Sequence, residues 1–285
     1  MAQTMKDIKR RIGSVGNIMQ ITNAMELVSS AKLRKSRKRL ETTRPYYQTV
    51  YRNINEILSM NKDNTSIFLE HRPVKNRAVL VFASDRGLAG GYNINVCKEA
   101  LNQLEDGVEV SFFPTGTRAV EILKRTGNKV DSSFTFINED PVSEDAMDLG
   151  KYVLDKFEKK EFDEVVAVFT KFNSVINLEP NVIKLLPASD FKKGEEEKKT
   201  IDIEFEPSAS AVLTQMIRQY VNVSIYGALL ESSASEQASR RTAMENATDN
   251  GQELLSDLEL VYNRARQAGI TQELTEIVGG AEALK

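Results

Sequence analysis

The chain has 285 residues, 41% of them apolar and 28% charged, which is enough for a globular core in one or two domains. Its only cysteine, Cys97, and only histidine, His71, disfavour a disulfide, a cysteine-based metal site and a histidine-based catalytic triad. The net charge of −3 conceals segregation, since residues 1–58 carry twelve Lys/Arg against four Asp/Glu and residues 208–285 carry six against ten. Segregated charge of this kind points to partner molecules.

Residues 1–58 are predicted to form one long helix. Apolar residues recur there at spacings of three and four, which is typical of one stripe on a helical surface. The stripe consists of Ile8, Ile12, Val15, Ile18, Ile21, Met25 and Val28, and it resumes at Tyr47, Tyr51, Ile54 and Leu58. Pro45, between the two parts, predicts a kink or a restart of the helix.

A basic stretch interrupts that stripe, with six Lys/Arg within residues 32–39. On a helix these side chains would wrap around most of the surface. Three interpretations stay open: a solvated helix face, a nucleic-acid patch, and a contact with a protein partner that carries acidic loops. The stretch has no interleaved aromatic residues and the chain as a whole is acidic, which disfavours nucleic acid.

Residues 75–190 alternate between predicted strands and helices. This βαβα order favours a central Rossmann-like α/β domain with a parallel or mostly parallel sheet. The predicted strands are residues 77–83, 108–113, 133–137, 163–170 and 181–187, and the predicted helices are residues 92–105, 117–127 and 143–162. Residues 191–207 are charged and poor in apolar residues, and we expect an exposed loop and linker there.

The glycine loop, residues 84–93 with the sequence SDRGLAGGYN, follows the first predicted strand. Its glycines follow the pattern G-x-x-G-G with no lysine, which matches neither a dinucleotide fingerprint nor a P-loop. Asp85 would also oppose an anion in the same turn. We interpret the loop as a tight strand-to-helix turn. The alternative is a nucleotide-dependent α/β enzyme that binds phosphate in this loop.

Residues 208–285 are predicted to form a second long helix, since they contain no proline. Apolar and small residues alternate there at spacings of three and four, a heptad seam that implies a left-handed coiled coil. The seam consists of Met244, Ala247, Gly251, Leu254, Leu258, Val261, Ala265 and Ala268. A helix of roughly 115 Å, at 1.5 Å per residue, cannot bury such a stripe against a compact domain. The N-terminal stripe is its expected partner.

Both ends of the chain resemble the ATP synthase gamma subunit family. The N-terminal match is MKDIKRRIGSVGNIMQITNAMELVSSAKLRKS, and the C-terminal match runs from ASEQASRRTAMENATDN to ITQELTEIVGGAEA. The glycine loop is similar to the loop that opens the family's central α/β domain. The resemblance implies an antiparallel two-helix coiled coil, formed by the N- and C-terminal segments, together with a Rossmann-like α/β domain.

The resemblance also implies a function, that of the central rotor shaft of an F-type ATP synthase. The shaft would couple ion-driven rotation of the c-subunit ring to conformational changes of the beta subunits in a ring of three alpha and three beta subunits. The epsilon subunit would bind near the α/β domain. No catalytic residue, metal or cofactor is expected, and nucleic acid is not an expected partner. The alternatives are the nucleotide-dependent enzyme above and a nucleic-acid-binding coiled-coil protein.

Several residues are expected, by resemblance, to contact or couple to the beta subunits. They are Met25, Arg240, Arg266, Gln267, Thr271, Glu273 and Glu276, and Lys32, Arg34 and Lys35 of the basic stretch are expected to meet acidic loops. Met25 also fits simple seam packing, and Arg266 and Gln267 also fit a solvated face. No signal or transit peptide and no redox-switch cysteine pair is recognised. We therefore expect a peripheral protein on the cytoplasmic face of a bacterial cell membrane, held there only by its partners.

Overall fold

The computed structural model of the chain describes residues 5–60, 66–188, 206 and 208–282. Along the chain, one long helix precedes an α/β segment and a second long helix follows it. The elements are α1 (Met5–Met60), a short 3-10 helix (Ile67–Leu69), β1 (Asn76–Val81), α2 (Tyr92–Leu101), β2 (Glu109–Pro114), α3 (Thr117–Arg125), β3 (Lys129–Val130), α4 (Ser143–Glu158), β4 (Glu164–Phe172), β5 (Leu178–Leu186) and α5 (Ala209–Glu282). The contacts divide the chain into two units, Ser30–Arg240 and Met1–Ser29 with Arg241–Lys285. We call them the sheet unit and the helix-pair unit.

The sheet unit contains one five-stranded sheet in the order β3-β2-β1-β4-β5. Strands β1 to β4 are parallel, and β5 pairs antiparallel with β4. Strand β1 is buried on both faces, with Leu80 in the core below α4 and α5 and Val81 in the core below α2 and α3. A strand covered on both faces needs a continuous apolar run, which is what its sequence provides. The predicted Rossmann-like α/β domain is confirmed.

The strand predicted at residues 133–137 is wrong. Residues 133–136 form turns, and the outer edge of the sheet beside β2 is instead formed by the two-residue strand β3. The apolar residues behind the prediction separate: Phe134 packs edge-on against Tyr152 of α4, with ring centroids 5.2 Å apart, whereas Phe136 is 72% exposed. The alternation of Phe134 and Phe136 resembles a strand, but it belongs to a loop in which one ring packs against α4 and the other is exposed.

Helix α1 continues through Pro45, so the predicted restart does not occur. Proline removes one helical hydrogen bond and costs about 3 kcal/mol in a helix interior. The residues after it offset that cost, because Val50, Ile54 and Ile57 are buried in the core of the sheet unit and Tyr47 packs against it. Tertiary packing outweighs the local propensity here.

Within the sheet unit, α1 and α5 run antiparallel. The rings of Tyr47 and Tyr220 lie 6.2 Å apart, and the hydroxyls of Ser36 and Ser233 lie 3.2 Å apart. Helix α5 is buried along most of this segment against the sheet and α4. Its buried apolar residues include Leu213, Ile217, Val221, Ile225, Ala228, Leu229 and Leu230.

In the helix-pair unit, the inward stripe of α1 departs from the predicted one after Val15. Thr22 and Ser29 are buried and Met19 is half-buried, whereas the predicted Ile18, Ile21 and Val28 are exposed. A step of three residues falls about 60° short of a full helical turn. The predicted run of three-residue steps therefore winds around the helix, and a stripe that faces one partner must alternate four and three.

The inward stripe of α5 is also displaced by one residue at alternate positions. Met244, Gly251, Leu258 and Ala265 face inward as predicted, and Ala247 is half-buried; Leu254, Val261 and Ala268 are exposed. Leu255, Tyr262 and Gly269 are less exposed than these neighbours. The predicted spacing of three and four is correct, but at alternate positions the inward residue is the next one along the chain. The sequence could not distinguish them, because both neighbours are apolar at 254–255 and at 261–262. The predicted linker at residues 191–207 lies outside the described residues except for Glu206.

Candidate partner-binding surfaces and the glycine loop

The seam of the helix-pair unit is narrow and partly polar. The hydroxyls of Thr22 and Thr248 lie 2.7 Å apart across the two helices. A Cβ added at Gly251 would lie 2.6 Å from the Cγ of Met19, which is closer than real Cβ contacts come. The helices therefore approach so closely at this level that any larger residue at position 251 would require Met19 to shift.

Large apolar side chains lie on the outside of the same unit, between 44% and 68% exposed. On α1 they are Ile18, Ile21, Leu27 and Val28, and on α5 they are Leu254, Leu260, Val261, Ile270, Leu274, Ile277 and Val278. Scattered exposed apolar residues are ordinary, but so many of them along two helices are typical of a protein-binding surface.

The predicted contact residues of the helix-pair unit lie within or beside that apolar run. Met25 is half-buried on α1. The remaining five are all exposed on α5: Arg266, Gln267, Thr271, Glu273 and Glu276. Their side-chain bonds are local, since Thr271 donates to the carbonyl of Gln267 at 2.9 Å and Gln272 donates to Glu276 at 3.0 Å. The structure leaves these polar groups accessible among apolar neighbours.

The basic stretch behaves differently, because much of it pairs with acids of the same chain. Lys32 Nζ lies 2.8 Å from Glu139 Oε1, and Lys35 Nζ lies 3.1 Å from Asp140 Oδ2. Arg39 also pairs with Asp140. Arg34 is exposed. From the sequence, this stretch is expected to meet acidic loops of a partner protein. Within the chain itself, the loop that carries Glu139 and Asp140 provides such acidic groups.

The glycine loop is held by side chains of its own unit. Asn93 Oδ1 accepts from the Ser84 amide at 3.0 Å, and Asp85 Oδ1 accepts from the Thr117 amide at 2.9 Å. Gly90 has a φ of 54°, in the left-handed region that glycine adopts readily. These contacts fix a sharp strand-to-helix turn.

Carbonyl oxygens of the loop receive hydrogen bonds from α5. Ser239 Oγ donates to Ala89 O at 2.7 Å, and Arg240 Nη2 reaches the carbonyls of Arg86 and Gly87, each at 3.4 Å. A phosphate-binding loop instead directs amide N–H groups at the anion. In this orientation the loop docks the long C-terminal helix onto the sheet.

Arg240 is itself enclosed, with only 7% of its surface exposed. Its Nη1 lies 2.7 Å from Glu236 Oε1, and Asn138 Nδ2 donates to the other oxygen of the same carboxylate at 3.1 Å. Burial raises the pKa of Glu236, while the charge of Arg240 opposes that shift. A buried pair of this kind is costly to break, because removing one partner leaves the other charge uncompensated.

Sequence reasoning named Arg240 as a contact with a beta subunit and missed its partner Glu236 within the chain, although a Glu–Arg pair at i,i+4 on a helix is a recognisable signal. It also missed Thr22, Thr248 and Asn138, which carry no such signal. Within residues 5–60, 66–188 and 208–282, no helix is both long and apolar enough to cross a bilayer. The same residues contain no group of three or more His, Cys, Asp or Glu placed to hold a metal ion.

The fold thus defines a class of protein, a long antiparallel helix pair joined to an α/β domain. The sequence profile of the family described as ATP synthase matches residues 4–284. The chain is 46% identical to the ATP synthase gamma chain of Alkaliphilus metalliredigens over 289 residues, covering all of both chains. It is 41% identical to the sodium ion specific ATP synthase gamma chain of Acetobacterium woodii over 301 residues, again covering all of both. The chain belongs to the ATP synthase gamma chain family.

Solved structures of mitochondrial ATP synthases have the same fold. A chain of the Euglena gracilis OSCP/F1/c-ring assembly in rotational state 3 matches 98% of this chain and 94% of its own length, at a TM-score of 0.72 and 19% identity. A chain of the Tetrahymena thermophila central stalk and c-ring matches 80% of this chain and 99% of its own length, at a TM-score of 0.57 and 25% identity. The predicted fold class is confirmed by both.

Proposed function

We propose that this chain is the central rotor shaft of an F-type ATP synthase and has no catalytic site of its own. A c-subunit ring, driven by ion flow, would turn the chain. The turning shaft would present different sides to the three beta subunits of an alpha3-beta3 ring and so change their conformations in sequence. The proposal rests on family membership and on one structural observation, the exposed apolar surface of the helix-pair unit.

That surface fits the interior of a protein ring. The two helices bury few large side chains between themselves, and their described apolar residues lie mainly outside. Burying such side chains contributes about 25 cal/mol per Å² of apolar area. A ring closed around the helices would supply this burial and still permit rotation, because apolar contacts are non-directional.

The polar contacts proposed on α5 are Arg266, Gln267, Thr271, Glu273 and Glu276, with Met25 on α1. Directional hydrogen bonds to a moving beta subunit would add resistance at particular angles of rotation. In the basic stretch, Arg34 is the proposed partner contact, since Lys32 and Lys35 already bind carboxylates of their own chain. Arg240 of α5 is likewise paired within the chain, with Glu236.

The sheet unit is the proposed attachment point for the epsilon subunit and the c-subunit ring. On this proposal the chain is peripheral, held by those partners on the cytoplasmic face of a bacterial cell membrane. Three copies each of alpha and beta would accompany one copy of this chain. The relatives' names support assembly into ATP synthase, and the stoichiometry and epsilon contact are part of the proposal.

Affinity isolation of a tagged chain from low-ionic-strength membrane washes tests the assembly. The expected complex contains one copy of the chain with three copies each of two larger nucleotide-binding subunits. Recovery of the chain alone, or with nucleic acid, would overturn the rotor proposal. So would enzyme-like ATP hydrolysis by the purified chain without other subunits.

The apolar surface is tested separately in the assembled complex. Leu274→Asp with Ile277→Asp would place two charges on the proposed ring contact, and we expect lower ion transport per ATP hydrolysed. Glu253→Gln, an exposed polar change on the same helix, is the matched control and should leave transport unchanged. Equal transport in both variants would exclude this surface from coupling.

A further inference from the structure

Three consecutive side chains of the loop before α4 contact three different parts of the sheet unit. We call Asn138, Glu139 and Asp140 the collar segment. Asn138 is fully buried and donates to Glu236 of α5 at 3.1 Å. Glu139 pairs with Lys32 of α1 at 2.8 Å and with Arg86 of the glycine loop at 3.4 Å.

Asp140 completes the segment on the α1 side. Its two oxygens lie within 3.1 and 3.3 Å of Lys35 Nζ, and Arg39 pairs with the same carboxylate. The three cations of α1 lie at positions 32, 35 and 39, spacings that place them on one side of a helix. One short loop therefore connects to both long helices by charged or buried polar groups.

These contacts differ in kind from the apolar core around them. Apolar packing opposes the separation of two elements but is non-directional. It therefore opposes the sliding of one element along another only through the interlocking of their side chains. Hydrogen bonds to charged groups fix distance and angle together. A turning load on α1 and α5 relative to the sheet would be resisted most directly by bonds of the second kind.

The charges of the segment are maintained at neutral pH. The hydrogen bond from Lys32 lowers the pKa of Glu139, and the hydrogen bond from Lys35 lowers the pKa of Asp140. Both carboxylates are therefore ionised, as the ion pairs require. On the α5 side, the Arg240 guanidinium faces the buried Glu236 carboxylate that Asn138 also binds.

We infer that the collar segment is a strut that transmits torque between the α/β domain and the two long helices, with Lys32 acting through Glu139 and not through a partner subunit. The inference rests on the proposed rotor function. Asn138, Glu139 and Asp140 are positioning residues in it, since they contact neither nucleotide nor another subunit in this account.

A charge exchange in the assembled, membrane-reconstituted ATP synthase tests the strut. Lys32→Glu and Glu139→Lys each place like charges together, and we expect ion transport per ATP hydrolysed to fall about fivefold while subunit stoichiometry and ATP hydrolysis persist. The double variant restores the ion pair with α1 in reversed polarity but not the contact with Arg86, and it should recover part of the transport. Arg37→Glu with Glu41→Arg reverses an exposed pair within α1, 2.8 Å apart, and is the matched control.

The outcomes separate the possible roles of Lys32. Recovery in the double variant supports the strut, because a contact with another subunit would stay broken. No recovery, with normal assembly, overturns the strut and returns Lys32 to the partner surface. The neutral variant Glu139→Gln keeps the test valid if a reversed charge prevents folding, and unchanged transport in it also overturns the strut. Failure of the wild-type chain to assemble with the ring would instead overturn the rotor proposal.

Discussion

Helix α5 passes through both units of the chain, and the two parts of this one helix are stabilised in different ways. In the sheet unit its apolar residues, such as Leu229, are fully buried against the sheet, α1 and α4. In the helix-pair unit many of its apolar residues, such as Leu274, are exposed, and the seam mixes apolar residues such as Met244 with small and polar ones. The two parts have similar helical periodicity. The spacing of apolar residues therefore predicts that a segment is helical, but it does not predict which part of the protein, or which other molecule, covers its apolar side.

The difference assigns different tasks to the two parts. The first is a domain core, whose contacts hold the chain in one shape. The second has exposed apolar side chains, which the proposed ring would cover, and the contacts between its two helices set their spacing. Substitutions in the two regions should therefore act on different properties of the protein.

The largest expected contrast is between Leu229→Ala and Leu274→Ala. Truncating the buried leucine should lower the free energy of unfolding by about 2–5 kcal/mol, because it removes packing and leaves a cavity. Truncating the leucine that is 58% exposed should change it by less than about 0.5 kcal/mol. Urea unfolding of the full-length chain measures both, and equal losses would abolish the distinction between the two regions.

A pair of glycines tests the close approach within the helix-pair unit. Gly251→Ala places a methyl group against Met19, which should cost about 1–3 kcal/mol, reduced by the better helix propensity of alanine. Gly269→Ala meets no atom within 4 Å and should stabilise the helix by about 1 kcal/mol. Thermal unfolding followed by circular dichroism compares the two, and a stabilised Gly251→Ala variant would contradict the close approach.

The threonine pair tests the polar part of the same seam. Thr22→Val or Thr248→Val should each cost about 1 kcal/mol, because each removes the bond between the two hydroxyls. The double variant should cost little more than either single one. A double-mutant cycle measures this, and fully additive losses would mean that the two hydroxyls do not interact.

The smallest effect concerns acid pH and the sheet unit. The pKa values of Glu139 and Asp140 are lowered from ordinary values of 4.5 and 3.8, so their stabilising contribution is present above those values and disappears as the pH falls through the lower folded values. The stability difference between wild type and Asp140→Asn should accordingly be largest near neutral pH, and it should decrease as the pH falls below 3.8 towards the lower pKa of the folded state.

Urea midpoints measured across this pH range provide the test. Asp257→Asn, an exposed change in the helix-pair unit, is the control and should leave the midpoint unaltered at every pH. A difference for Asp140→Asn that stayed constant as the pH fell below 3.8 would mean that a neutral interaction, and not the ion pairs, stabilises the collar segment.

The sequence by itself determined the two long helices, four of the five strands and the family, because each depends on local spacing or on long contiguous motifs. It also identified the glycine loop as a turn, since the residues that a phosphate site requires are missing from it. It could not predict that the carbonyls of this loop accept bonds from Ser239 and Arg240, which lie some 150 residues further along the chain.

Only the tertiary structure decided the phase of the seam and the partners of the basic stretch. At positions 254–255 and 261–262 both neighbouring residues of α5 are apolar, so the helical spacing permits either one to face inward. The choice depends on how α5 fits against Met19 and Thr22 of α1. Lys32 and Lys35 find their acids more than 100 residues away, in a loop whose aromatic pattern resembles a strand. Periodicity encodes which side of a helix is apolar, while the fold alone brings distant charges within reach of each other.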